Sequence, residues 1–437
     1  MKKLLFILCL TGLSGTWISC NDDDCDCDNN WAVTPEDFAD EGFYAFCLEN
    51  FDTDGDGELS LNERLAVVNI EIPSVHPSPY AFTVTSLEGI GNFPALQRLV
   101  CNNQKLTSLD LRNCILLREL QCNNNELTSL DVSRCSMLEI LECQDNNLTA
   151  LDLSGCKEIK KVDFNNNKLT KIDLNNLSVL TELSCANNEI TTLDITKCAQ
   201  LASLECSGNK LSTINLSQSS ALRSLSCSGN ALTSLDITDC AMLENLECSG
   251  NQLKELNLTG SATLRVVGCA DNPLEELHLT TSFGVKSLDC SYTKLQFLDL
   301  GYMANLETLN CSNSLLKSVS LRYCTELKTI DCSHNELYSL NMTDCAALDN
   351  LNFMKNQISS VIMPDAPTLT RINASFNRLS SLDLSGSPYL LELTYQSNNI
   401  TVIYVNDEID IVNLKNAQGK TIELDKPNNG VLQYKPI

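Results

Sequence analysis

Residues 52–63 read DTDGDGELSLNE. Asp52, Asp54 and Asp56 alternate with small residues, Gly57 follows, and Glu58, Ser60 and Glu63 carry the next oxygens of a twelve-residue loop. Hard oxygen donors at positions 1, 3, 5, 7, 9 and 12 of such a loop surround Ca²⁺, and a glycine at position 6 permits the sharp turn. Asp52, Asp54, Asp56 and Ser60 would offer side-chain oxygens and Glu58 its backbone carbonyl. Glu63 would close the shell with both carboxylate oxygens. Carboxylates drawn together without a cation would repel one another, so the spacing predicts one structural Ca²⁺ as the cofactor.

The other residues with intrinsic chemistry are the 23 cysteines. Cys101, Cys122, Cys143, Cys185, Cys206, Cys227, Cys248, Cys269, Cys290, Cys311 and Cys332 fall on one 21-residue grid, and Cys114, Cys135, Cys156, Cys198, Cys240, Cys324 and Cys345 on a second. Cys9, Cys20, Cys25, Cys27 and Cys47 lie outside both. A free thiol packs as a small, polarizable hydrophobe, and side chains running parallel in stacked coils do not converge as a disulfide requires. Stacked reduced thiols are expected, with disulfides or a metal as less favoured alternatives. Three histidines, His76, His278 and His334, sit in no nucleophile motif, and no glycine-rich phosphate loop occurs. No enzyme is expected. A formal charge of −26 repels nucleic acid and anionic lipid surfaces.

The elements that must position these groups follow from the period. From Leu96 onward the chain lines up in rows of 21 without a gap. The row LRELQCNNNELTSLDVSRCSM carries Leu117, Leu120, Cys122, Asn125 and Leu127, then Leu130 and Val132. Period-2 alternation turns Leu120 and Cys122 inward and Gln121 outward, predicting a strand at each L-x-C. The return stretch alternates likewise, with Asp131 outward, which predicts a second strand. An asparagine column beginning at Asn125 lapses at Thr293 and Ser314 and resumes at Asn335; it should satisfy main-chain groups at each turn. The aspartates of the LD pairs, Asp131 and Asp152 among them, should bond their own backbone.

Upstream, Thr34 and Pro35 read as N-cap and first position of a helix with Phe38, Phe43, Phe46 and Cys47 on its apolar face. LNERLAVVNI reads as a second short helix after the acidic loop. The segments divide as 1–19 signal peptide, 20–33 acidic flexible tether, 34–83 helical cap and connection, 84–410 repeats and 411–437 C-terminal cap, Ile411 and Leu414 still falling on the repeat columns. MKKLLFILCLTGLSGTWISC has a basic start, an apolar run and small residues before Cys20.

These rows resemble the L-x-x-L-x-C-x-x-N-x-L signature of leucine-rich repeats, with cysteine for the third leucine. The resemblance spans about three quarters of the chain. It implies a β-rich solenoid, a right-handed leucine-rich-repeat superhelix of about fifteen coils. The loop fits the EF-hand pattern, so the N-terminal cap is read as a small helical EF-hand cap. Internalins look similar, a small EF-hand-like cap preceding their repeats. Their loop is generally truncated and metal-free, so Ca²⁺ here rests on the residues alone. Cys20 resembles the lipidated cysteine of bacterial lipoproteins, and NDDDCDCDNN resembles the export signal of bacteroidal surface lipoproteins. That implies a place on the cell outer membrane, surface-exposed, touching the membrane only through its lipid; a monomer is expected.

What the resemblance implies for function is extracellular protein binding or adhesion, non-catalytic, with a host or microbial protein as partner. A carbohydrate-binding accessory of a surface glycan-uptake system is the alternative, although Trp17 and Trp31 both lie outside the repeats. Two positions past the cysteine, early rows carry Asn or Gly and later ones Tyr292, His334, Lys355 and Phe376, with Arg371 near. With the acidic Asp289 and Asp331 these form the candidate partner-binding patch, since aromatic and arginine side chains are enriched at binding hot spots.

Overall fold

The computed structural model describes residues 33–73, 84–280 and 282–410, and 418, 421, 423–425 and 431–434 beyond them. The signal peptide, Cys20, nearly all of the acidic tether, His76, Ile411 and Leu414 lie outside the described residues.

Each row folds as one coil. Its L-x-C segment makes a three-residue strand such as Glu119–Gln121, with the central leucine buried and both neighbours half-buried. Strands pair in parallel at the 21-residue step without slippage: Leu99 faces Leu120, Leu120 faces Leu141, and Ile372 faces Leu393. The result is a parallel β-solenoid of about fifteen turns, with a 17-stranded sheet along one face. Leu120, Cys122, Leu127, Leu130 and Val132 of a single row are all buried, and the core runs unbroken from Val33 to Ile409. No coil could bury these side chains alone, and stacking closes the interior.

All nineteen described cysteines are free and buried. In the second column the thiols also donate to the preceding coil, Cys156 Sγ to Val132 O at 3.5 Å and Cys324 Sγ to Leu300 O at 3.3 Å. Ser282 stands in the same column and donates its hydroxyl to Leu258 O at 2.7 Å. The column also accepts Leu177, Met303 and Ala366, so it holds buried side chains of modest size, some of which donate to the preceding coil.

The asparagine column bonds as expected. Asn146 donates to Cys122 O, Cys143 O and Gln144 O, and accepts from Leu127 N. At the lapse, Thr293 Oγ1 donates to Cys290 O and lies 2.9 Å from Ser314 Oγ, so two hydroxyls replace one amide. The LD aspartates accept from the amide two residues on, as Asp131 does from Ser133 N.

Three segments differ from the sequence reading. The first helix does not run on from Pro35. Thr34 and Asp37 cap a short turn at Pro35–Asp37, and α1 (Glu41–Phe51) starts afresh with Asp40 as N-cap. The break frees Asp40 to bond outside the helix and buries Phe38 between the two pieces. α2 (Leu61–Ala66) is shorter than LNERLAVVNI, because the β-branched residues that follow favour extended chain. Asn69–Glu71 there pairs in parallel with Arg98–Val100 and supplies an extra rung. The return path forms a paired second strand only from Glu255–Asn257 onward. Earlier coils make isolated bridges, Asp131 to Asp152 and Asp194 to Asn215. At the far end Glu423–Asp425 and Val431–Tyr434 pair in parallel with Glu392–Thr394 and Val402–Val405. The C-terminal segment thus continues both ladders after a longer connection.

Candidate functional site

The acidic loop joins α1 to α2. Asp52 is the C-cap of α1, and Ser60 caps α2, its hydroxyl accepting from Glu63 N at 3.3 Å. Asp52 accepts from Gly55 N at 2.6 Å and Gly57 N at 3.0 Å, and the left-handed φ of Gly57, 85°, allows the loop to double back. Glu63, 7% exposed, accepts from Thr53 N, Thr53 Oγ1 and Ser60 N. Burial works against its charge, but these bonds prevail and hold the carboxyl at about 2. One oxygen each of Asp52, Asp54 and Glu63 lies within 4.8 Å of the others. Oxygens around a Ca²⁺ at 2.3–2.6 Å span that same distance, so these three fit the ion. Asp56 instead accepts from Glu58 N at 2.8 Å, and Glu58 is exposed. Tyr44 donates its hydroxyl to Gly57 O, and Leu59 bridges back to Val33.

The loop is tied to the solenoid on both sides. Asp40 accepts from Thr85 N, Thr85 Oγ1 and Ser86 N, the first residues of the opening coil. Burial opposes its ionisation, yet these bonds keep its carboxyl below the ordinary value. Arg64 of α2 donates to Leu59 O and across to Asn92 O at 3.0 Å.

The second candidate region is the sheet face and its rim. Tyr292, His334, Lys355 and Phe376 occupy one column, with Asn313 between the first two, at φ of 54°, 55°, 56° and 55°. The whole column is left-handed: Asn103, Asn124 and Asn187 in early coils, then Gly208, Gly229 and Gly250. Asparagine and glycine tolerate this region, whereas bulky side chains adopt it at a cost. Early members also bond along the axis, Asn187 Nδ2 to Asn166 Oδ1 at 2.8 Å. Tyr292 is 61% exposed and Phe376 45% exposed. Arg371 opens a strand of the face and points Nε toward Glu392 Oε2 at 3.6 Å. Asp289 accepts from Ser291 N and Asn310 Nδ2, and Asp331 from Ser333 N and Asn352 Nδ2.

One feature of the opposite rim escaped the sequence reading. Tyr302 and Tyr323, one coil apart, stack at 4.9 Å between ring centroids, with the Arg322 guanidinium 4.8 Å over Tyr323. Both sit at left-handed turn positions, and their amides donate to the next coil, to Arg322 O and Asp344 Oδ2. Two tyrosines separated by one repeat were the available signal.

No protein-family model and no curated protein matches the chain. Solved structures do. The functional domain of InlJ from Listeria monocytogenes, which includes a cysteine ladder, is 27% identical with a TM-score of 0.71, over 86% of this chain and 77% of that one. The internalin InlF from Listeria monocytogenes is 18% identical with a TM-score of 0.61, over 72% and 95%. The plant peptide hormone receptor RGFR1 in complex with RGF2 is 19% identical with a TM-score of 0.60, over 77% and 61%. Columns of cysteine and asparagine, parallel pairing at a fixed step and these neighbours together make the chain a leucine-rich-repeat solenoid of the kind found in internalin-like bacterial proteins.

Proposed function

We propose that this protein is a non-catalytic protein-binding or adhesion module, carried on the bacterial outer membrane by a lipid on Cys20 and presented to the outside. The observation that carries the reading is the rim column. Bulky Tyr292, His334, Lys355 and Phe376 hold a backbone conformation for which the earlier coils use asparagine and glycine. Strain kept at exposed residues points to a role outside the fold. Among the neighbours, RGFR1 was solved in complex with RGF2, which is consistent with a protein partner for this scaffold. The test compares proteins cross-linked to the full chain and to a Tyr292→Asn/Phe376→Asn variant. Partners lost from the variant support the reading, and an unchanged set refutes the patch. Labelling with a palmitate analogue, abolished by Cys20→Ser, tests the anchor.

The same proposal places one structural Ca²⁺ at Asp52, Asp54, Asp56, the Glu58 carbonyl, Ser60 and Glu63. Support comes from the three converging oxygens and from a loop clamped to the first coil through Asp40 and Arg64. Tyr44 beside the loop should sensitise bound Tb³⁺, and Asp54→Ser should remove that emission. A melting temperature indifferent to chelation would refute the site.

A carbohydrate ligand is the second reading, favoured by the exposed Tyr302–Tyr323 stack with Arg322 over it. Ring faces of this kind can carry a sugar ring. Glycan-array binding lost on Tyr302→Ala would support it over protein capture.

A further inference from the structure

The outward column of the sheet has a period of its own. From Glu205 onward an acid recurs at every second coil, at Glu205, Glu247, Asp289 and Asp331, with Ser226, Gly268 and Asn310 between and Asn352 after the last. All four acids are half-buried, and none has a cation within ion-pair distance among the described residues. Their orientations are fixed. Asn310 and Asn352 each donate to the aspartate one coil back, and Glu205 accepts from Ser207 N at 3.0 Å. Glu247 lies over Gly268, where a Cβ would collide with its carboxylate.

The face around them is bare of positive charge. Between Lys161 and Arg371 no strand of the 17-stranded sheet contains lysine, arginine or histidine. Lysine and arginine do stand just before these strands, but they are occupied sideways: Arg223 by Glu244, Lys286 and Lys328 by Glu307, and Arg265 by three carbonyls. Glu142, by contrast, sits earlier in the column and is neutralised by Lys161 at 2.6 Å.

The step between successive acids selects a partner. Parallel strands lie about 4.8 Å apart, so two coils separate the acids by about 9.6 Å. A polyproline II chain rises about 9.3 Å over each turn of three residues and returns every third side chain to one face. A β-strand returns side chains to one face every second residue, about 6.6 Å. An α-helix repeats its face every seven residues, about 10.5 Å, and would drift by roughly 3 Å over three steps.

We infer that the sheet face from Glu205 to Asp331 binds an extended, proline-rich polypeptide in polyproline II conformation with lysine or arginine at every third residue. This deepens the protein-binding reading and rests on it. Complementary charge would guide the encounter and fix the register.

The test measures fluorescence anisotropy of labelled synthetic peptides on the full chain. One peptide repeats Lys-Pro-Pro four times. A second has the same composition with its four lysines contiguous, and a third is an α-helical peptide with lysine at every seventh residue. The Lys-Pro-Pro peptide should bind at least about tenfold tighter than either control, with binding weakened by salt. The near-isosteric pair Glu247→Gln/Asp289→Asn should lose about tenfold, Glu142→Gln should change nothing, and unaltered thermal melts would show all variants folded. Equal binding of all three peptides, preference for the helix, or no loss in the double variant would overturn the inference. The general protein-binding reading would survive that outcome, because it is decided separately by the Tyr292→Asn/Phe376→Asn comparison.

Discussion

Replacing Glu63 with glutamine isolates what holds the N-terminal cap. The carboxylate accepts from Thr53 N at 2.6 Å, Thr53 Oγ1 at 2.9 Å and Ser60 N at 2.9 Å, and it is almost wholly buried. Glu63→Gln preserves the shape but removes the charge, and turns one acceptor into a donor facing an N–H or hydroxyl. The fall of the carboxyl from 4.5 to about 2 corresponds to about 3 kcal/mol. Losing charge-assisted hydrogen bonds at this site gives a similar figure. A depressed carboxyl stabilises the fold above its unfolded value and ceases to do so as pH falls to its folded value. The difference between wild type and Glu63→Gln should therefore be about 3 kcal/mol at pH 7 and close toward zero between pH 4.5 and about 2. Hydrogen exchange at residues 40–100 in chelator measures the cap without any metal contribution, and the difference curve cancels the other carboxylates. A gap below about 1 kcal/mol at pH 7, or one that persists in acid, would refute the reasoning.

Other consequences concern the repeats. Asn146→Ala orphans several buried main-chain groups and should cost roughly 3–5 kcal/mol in urea unfolding, whereas Thr293→Ala, in a coil that already shares hydroxyls, should cost roughly 1–2. Cys156→Ser should be tolerated within about 1 kcal/mol because the hydroxyl can donate to Val132 O as Ser282 does to Leu258 O. Cys143→Ser, deeper in the first column, should cost roughly 2–3 kcal/mol, measured the same way. Gly155→Ala would set its new Cβ 2.2 Å from Ser133 O, so a measurable loss in melting temperature is expected, and unchanged melting would refute the close approach.

The coil was legible because its columns are redundant: a leucine at 120, 141 and 183 and an asparagine at 125, 146 and 188 state one geometry many times. Where a signal occurs once, the reading failed. Pro35 after Thr34 is a sound helix start, but the value of Asp40 as a second cap depends on Thr85 and Ser86, 45 and 46 residues away. The strand Asn69–Glu71 was hidden for the same reason, since its partner Arg98–Val100 lies beyond any local window. Within the loop the spacing does not show that Asp56 is turned to Glu58 N while Asp52, Asp54 and Glu63 converge. The left-handed rim was written in the run of asparagine and glycine. The column reads as a candidate partner-binding patch, but its left-handed backbone does not show in its later members, because Tyr292 and Phe376 are residues that seldom adopt one.

That contrast separates what this scaffold requires from what it tolerates. A position whose backbone is dictated by the coil should converge on residues suited to it, and Asn103, Asn124, Asn166 and Gly229 do. Phe376 and Tyr292 bear the same left-handed φ without a side-chain amide to bond along the axis and with much of each ring in solvent. The fold gains little from them there. Among the alternating acids of the sheet face, Glu247 is likewise not explained by stability, since burial and then Asp289 raise its carboxyl above its ordinary value. Ionised Glu247 thus disfavours the folded state at neutral pH, and Glu247→Gln should leave the chain equally or more stable in urea while weakening capture of the cationic peptide. A loss of both together would mean that the acid serves the coil, and the case for a partner on this face would fall with it.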